Sequence, residues 1–219
     1  MQIALTYLLI GITVITSVMA FSNPKLKADL IFYPTAVSNK NQWWRFITCG
    51  FIHADVQHLA FNMFSFYFFG KGLEENFTVL FGGKAKPLFT LLYFSALIVC
   101  LLPTYFKNRN NYKYASLGAS GAVSAIIFAS IVMMPAQGIG LLILPGFDIP
   151  GFVFGPLYLV GCMIMDKRKQ DNINHSAHFW GAVYGALFFI VACFIFSSLN
   201  PFTSFITQVT QYFNRLFHR

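Results

Sequence analysis

Residues 115–134 read ASLGASGAVSAIIFASIVMM, a run without a single charged side chain, and its reading decides the fold. A bilayer is crossed by roughly 20 apolar residues at a helical rise, so this stretch predicts a membrane helix. Ser120 sits between glycines in Gly118-Ala119-Ser120-Gly121, at the head of that helix, and His178 opens a second uncharged run near the C-terminus. Hydrocarbon penalises polar side chains, so a hydroxyl and an imidazole in such places call for a functional explanation.

Runs of the same kind lie at 3–21, 87–106, 149–165 and 177–199. A sixth, 56–73, contains His58 and Asn62, polar groups that must face protein rather than lipid. The chain of 219 residues is 57% hydrophobic and 18% aromatic, with 10% charged residues and 27 Phe, which excludes an ordinary soluble domain. The first run resembles a secretion signal at Val18-Met19-Ala20, but no Lys or Arg precedes it, so it is retained as a first helix. The expected fold is all-α: a polytopic membrane protein with a six-transmembrane-helix bundle over 1–199. The tail, 200–219, is expected to be a basic amphipathic surface helix, since Phe202, Phe205, Ile206, Val209, Phe213, Leu216 and Phe217 recur at helical spacing.

The formal net charge of +8 is scattered among loops, which reads as contact with lipid headgroups and not with nucleic acid. Cys49, Cys100, Cys162 and Cys193 have no paired spacing and read as buried thiols. The first connection, 22–55, carries Pro24, Pro34 and Trp43-Trp44-Arg45-Phe46, a composition suited to the membrane interface. Alternation of sides brings connections one, three and five to one face. Ser120, His178 and the group His53, His58 and Asn62 then share one depth.

Serine attacks a carbonyl only when a base removes its proton, and a histidine within hydrogen-bond reach suffices. Ser120 and His178 are the candidate dyad. Gly118 and Gly121 leave room for a substrate carbonyl and a neighbouring helix. Ala177, Gly181 and Gly185 repeat every four residues, a small-residue face on which two helices approach closely. A tetrahedral intermediate needs donors aimed at its oxyanion. His58 and Asn62, four apart on one helix side, and the Ser120 amide are the candidates.

Together these residues resemble the rhomboid intramembrane serine proteases over roughly residues 40–190. Trp44-Arg45 is similar to the family's Trp-Arg loop motif, and His53, His58 and Asn62 to its His-x-x-x-x-His-x-x-x-Asn segment. Gly70 and Glu74 are similar to Gly-x-x-x-Glu, whose glutamate is structural. Gly118-Ala119-Ser120-Gly121 resembles Gly-x-Ser-Gly, and Ala177-His178-Phe179-Trp180-Gly181 resembles Ala-His-x-x-Gly. The resemblance implies cleavage of transmembrane protein substrates near the outer edge of their spans, without metal or cofactor, with oxyanion roles for His58 and Asn62. It also implies a mobile fifth helix and cap around 145–158. Two positions depart from it: Ser124 stands where an aromatic residue often stacks on the catalytic histidine, and Cys49 where some members carry a histidine.

Ten of the fifteen basic residues, Lys25, Lys27, Lys40, Arg45, Lys107, Arg109, Lys113, Lys167, Arg168 and Lys169, fall on the active face. The positive-inside rule makes that face cytoplasmic, whereas the resemblance implies a site opening outward; the reading follows the resemblance. Two rival functions remain in view. One is a catalytically silent rhomboid-like protein that binds transmembrane helices. The other is a transporter or metal carrier using His53, His58, His175 and His178, although no thiolate or carboxylate accompanies them at ligand spacing in the sequence. A bacterial inner membrane is the expected location.

Overall fold

The computed structural model describes residues 4–141, 144–168, 171 and 173–217. Lys169, counted above among the basic residues, lies outside the described residues. The long helices are α1 (Leu5–Ser22), α5 (Val56–Phe81), α6 (Ala85–Val99), α8 (Ser120–Met133), α9 (Gly151–Arg168), α10 (His175–Phe196) and α11 (Pro201–Phe217). Short helices α2 (Pro24–Leu30), α3 (Pro34–Lys40) and α4 (Arg45–Thr48) fill the first connection, and α7 (Leu102–Asn108) follows α6. Among the described residues, three helical stretches are long and apolar enough to cross a membrane: Leu5–Ser22, Val56–Asn108 and His175–Phe196.

Several boundaries differ from the sequence reading. The second apolar run does not end near residue 73, because Leu73, Phe77 and Phe81 continue its buried stripe to Gly82. There φ is +56° and the chain turns back. Phe77 meets Phe89 and Phe66 meets Tyr93, so α6 returns antiparallel to α5. Residues 115–119 are not helical: Phe32 and Ser116 form an antiparallel bridge and Gly118 adopts φ +113°. The segment before α9 is a two-stranded antiparallel ribbon, β1 (Gly138–Leu141) with β2 (Leu144–Pro150), a departure from an all-helical chain.

Glu74, which the resemblance made structural, holds the start of α1. Its carboxylate accepts from the Leu5 and Thr6 amides at 2.8 and 3.0 Å and from Thr6 Oγ1 at 2.9 Å. Helix N-terminal amides have no intrahelical partners, and a carboxylate there also meets the positive end of the helix dipole. Glu74→Ala should therefore destabilise the protein by about 2–4 kcal/mol, measured as a lower Tm in detergent.

Arg45 points inward. Its Nη1 donates to the Ala28 and Ile31 carbonyls at 2.8 and 2.6 Å, and Nε donates to Gln42 Oε1 at 2.6 Å. The guanidinium also lies 5.6 Å from the Tyr33 ring centroid. This side chain braces the first connection from within, while the neighbouring Trp44 ring is exposed. On α11, Gln208 Nε2 donates to the Met133 carbonyl at 2.9 Å, while Phe202, Ile206, Leu216 and Phe217 stay exposed.

Candidate active site

The loop entering α8 is fixed by backbone bonds to the first connection. Phe32 and Ser116 exchange N–H to carbonyl bonds at 3.0 Å, and the Gly118 amide donates to the Cys49 carbonyl at 2.9 Å. At position 49 the main chain, not the thiol, touches the loop. Burial pushes the Cys49 thiol up to about 12, so it stays protonated.

His53 is a bracket for the same loop. The Ala119 amide donates to its Nε2 at 3.4 Å, which leaves the proton on Nδ1, 3.0 Å from Ser17 Oγ. Ser17 donates onward to the Phe51 carbonyl at 3.1 Å. Burial, with the neighbouring His58 ring adding to it, pushes the His53 pKa down to about 3. The ring therefore stays neutral and keeps its accepting nitrogen.

His58 lies over the glycine two residues before Ser120. A Cβ on Gly118 would stand 2.9 Å from His58 Cε1 and 3.0 Å from Nε2, at a φ that side chains rarely adopt. Asp55 caps α5 by accepting the His58 amide at 2.8 Å. Buried Asn62 donates one Nδ2 hydrogen to the His58 carbonyl at 3.0 Å. An amide carries two donors, so the second remains for another acceptor.

Helices α8 and α10 cross backbone to backbone. A Cβ on Gly181 would lie 2.1 Å from the Gly121 carbonyl oxygen, and one on Gly185 would lie 2.0 Å from that of Ala125. On the other side, a Cβ on Gly121 would meet Cys100 Sγ at 2.5 Å and the Ala177 carbonyl at 3.3 Å. The pairs 121 with 181 and 125 with 185 advance together, so the helices run parallel and their N-terminal ends adjoin. Ser120 begins α8; α10 begins at His175, two residues before the start of the run read from sequence at 177, and His178 sits in its first turn. Both residues are partly buried.

Two side chains that sequence reasoning missed support this end. Asn174 caps α10 by accepting the Ala177 amide at 3.0 Å. It also donates to Thr104 Oγ1 at 3.1 Å and Ser116 Oγ at 3.4 Å, tying the start of α10 to the loop before Ser120. An Asn just before an apolar run is a capping signature that could have revealed it. Tyr158 of α9 is the second. Its hydroxyl lies 2.7 Å from Ser124 Oγ, which itself donates to the Ser120 carbonyl at 2.9 Å. An aromatic ring thus arrives beside Ser124 from another helix, stacked with Phe154 at 5.7 Å between centroids. Its pairing with position 124 has no local sequence signature.

The four histidines fall into two pairs, His53 with His58 at 4.9 Å and His175 with His178 at 5.9 Å between ring centroids. With both His53 nitrogens already engaged, a carrier site using all four imidazoles has no structural basis. A cleft of about 490 Å³ near Gly72, Ser130 and Gln208 lies at the opposite end of α8 and is lined by neither Ser120 nor His178.

These helices and this cluster describe an integral membrane protein that gathers a serine and two imidazole pairs at one end of its bundle. Residues 40–195 match the rhomboid domain, and the chain belongs to the rhomboid family. It is 30% identical over 152 residues to RHOMBOID-like protein 12, mitochondrial, of Arabidopsis thaliana, covering 64% of this chain and 44% of that protein. A rhomboid relative from Bacillus subtilis is 33% identical over 155 residues, 71% of this chain and 69% of its own. Rhomboid protease AarA of Providencia stuartii is 25% identical over 209 residues, 84% of this chain and 70% of its own. The chain thus spans less than half the length of the plant relative.

Proposed function

We propose that the protein is an intramembrane serine endopeptidase acting on transmembrane proteins through a Ser120–His178 dyad. The observation that supports it most is the parallel crossing at Gly121 and Gly181, which makes the ends of α8 and α10 neighbours. In this reading His178 takes the Ser120 proton as Oγ attacks the substrate carbonyl, then returns it to the departing amine. Water hydrolyses the acyl-enzyme by the same route. His58, the second Asn62 N–H and the Ser120 amide face the oxyanion, each such donor being worth about 2.7–4 kcal/mol. The unpaired amides at the start of α8 add the positive end of a helix dipole. Arg45, Glu74, Gly118, Gly121 and Gly181 hold the frame, and the exposed Trp44 ring suits the lipid interface.

In the same reading α1, α5, α6, α8, α9 and α10 are six crossings, lipid meets α11, and the site opens away from the cytoplasm. A bacterial inner membrane is the location proposed, and the bacterial relatives stand beside mitochondrial and chloroplastic ones. Treatment of purified protein with a fluorophosphonate should phosphonylate Ser120, with the adduct located by peptide mass spectrometry. Binding of transmembrane helices without cleavage and without an adduct would identify a catalytically silent family member instead.

A further inference from the structure

Around the candidate base His178 stand two further side chains, Cys162 and His175, whose chemistry the dyad does not use. His175 and His178 are three apart on α10, which sets both on one helix face, and Cys162 of α9 packs opposite them. One ligand atom from each of Cys162, His175 and His178 lies within 4.8 Å of the others. We propose that these three residues form a binding site for a thiophilic divalent cation, zinc being the best fit, and that its occupation silences the enzyme.

A tetrahedral zinc with Zn–S near 2.3 Å and Zn–N near 2.0 Å needs ligand atoms roughly 3.3–3.6 Å apart. Closing from 4.8 Å takes side-chain rotation of about 1 Å. One thiolate and two neutral imidazoles select zinc or copper over magnesium, calcium or manganese. The fourth position is left to water. An independent feature points the same way: His175 Nε2 lies 3.0 Å from both carboxylate oxygens of Asp171. A histidine that donates one ring N–H to a carboxylate keeps its lone pair on the other nitrogen, the arrangement that supports metal-bound imidazoles. A cleft of about 160 Å³, lined by Cys162, Asp166, His175, Phe179 and Trp180 among others, offers a route for the ion.

On binding, the Cys162 thiol releases its proton to water and its sulfur joins the metal. His178 gives the metal the lone pair that would otherwise receive the Ser120 proton. Loss of activity on zinc addition rests on the protease reading; the site itself does not.

The test uses the full-length protein in detergent with Co²⁺ and Zn²⁺ as probes. Co²⁺ should give tetrahedral d–d bands and a sulfur-to-metal charge-transfer band at one ion per chain, displaced by Zn²⁺. Cys162→Ala should lose the charge-transfer band, and Asp171→Asn should weaken zinc binding about 10–100-fold, with Cys193→Ala unchanged. Zinc should block fluorophosphonate labelling of the wild type reversibly on chelation, while Cys162→Ala stays labelled; Cys162→Ser, closer in shape, serves if the alanine variant fails to fold. A wild type without the sulfur band, or equal zinc affinity in wild type and the Cys162 variants, overturns the site. Stoichiometric cobalt in a protein that no fluorophosphonate labels leaves the site standing and removes the protease reading.

Discussion

Ser120→Ala should lower cleavage of a transmembrane substrate in liposomes by about 10⁴–10⁶-fold, His178→Ala by a similar factor, and the double variant no further. The non-additivity is the informative part. A nucleophile and its base act as one unit, so removing either leaves nothing for the other to contribute. What remains comes from oxyanion donors and binding alone. Neither substitution removes a hydrogen bond described above, since Ser120 contributes only its carbonyl to Ser124 and α10 is capped by Asn174. Thermal stability should therefore stay close to that of the parent. Multiplying losses in the double variant would mean that the residues act independently, and full activity in Ser120→Ala would end the assignment.

Gly181→Ala should reduce activity about 100-fold without touching a reacting group, and Gly181→Ala with Gly185→Ala should reduce it further. The new methyl would stand 2.1 Å from the Gly121 carbonyl oxygen, and at position 185 it would stand 2.0 Å from that of Ala125. Both partners are main chain, so no rotamer relieves the clash and the helices must part by about 1 Å. A displacement of that size between reacting groups costs roughly 10²-fold, and overpacking costs about 1–3 kcal/mol of stability. The comparison to make is with Gly161→Ala on α9, where the added carbon meets nothing within 4 Å beyond its own stretch of helix backbone. Equal activities across these variants would show that the crossing does not set the geometry of the site.

What could be read from the sequence was whatever local composition dictates. Apolar runs announced the helices, the glycine spacing at Gly181 and Gly185 announced a close crossing, and Ser120, His58 and Asn62 stood out as polar groups in hydrocarbon. Hidden features depend on partners distant in the chain. The apolar run 56–73 stops short of Glu74, yet α5 continues along the buried Leu73, Phe77 and Phe81, with the Glu74 carboxylate satisfied by the start of α1. Cys49 acts through its carbonyl, which carries no residue signature. Tyr158 reaches Ser124 from 34 positions away. His175, Asp171 and Cys162 converge only once α9 and α10 are packed, so a thiol absent from the ligand spacing in sequence stands beside two imidazoles in space.

The brevity of α8 has a further consequence. Its 14 residues rise about 21 Å, against a hydrocarbon layer of roughly 30 Å. If α8 is one of the six proposed crossings, one terminus stops short of the headgroups, and the loop bridged at Ser116 to Phe32 fills the remaining depth. On the proposed six-crossing reading, the fit of the protein to its lipid would then govern how deep Ser120 is sunk: long acyl chains would bury the mouth of the site, whereas a thin bilayer would lift it toward water.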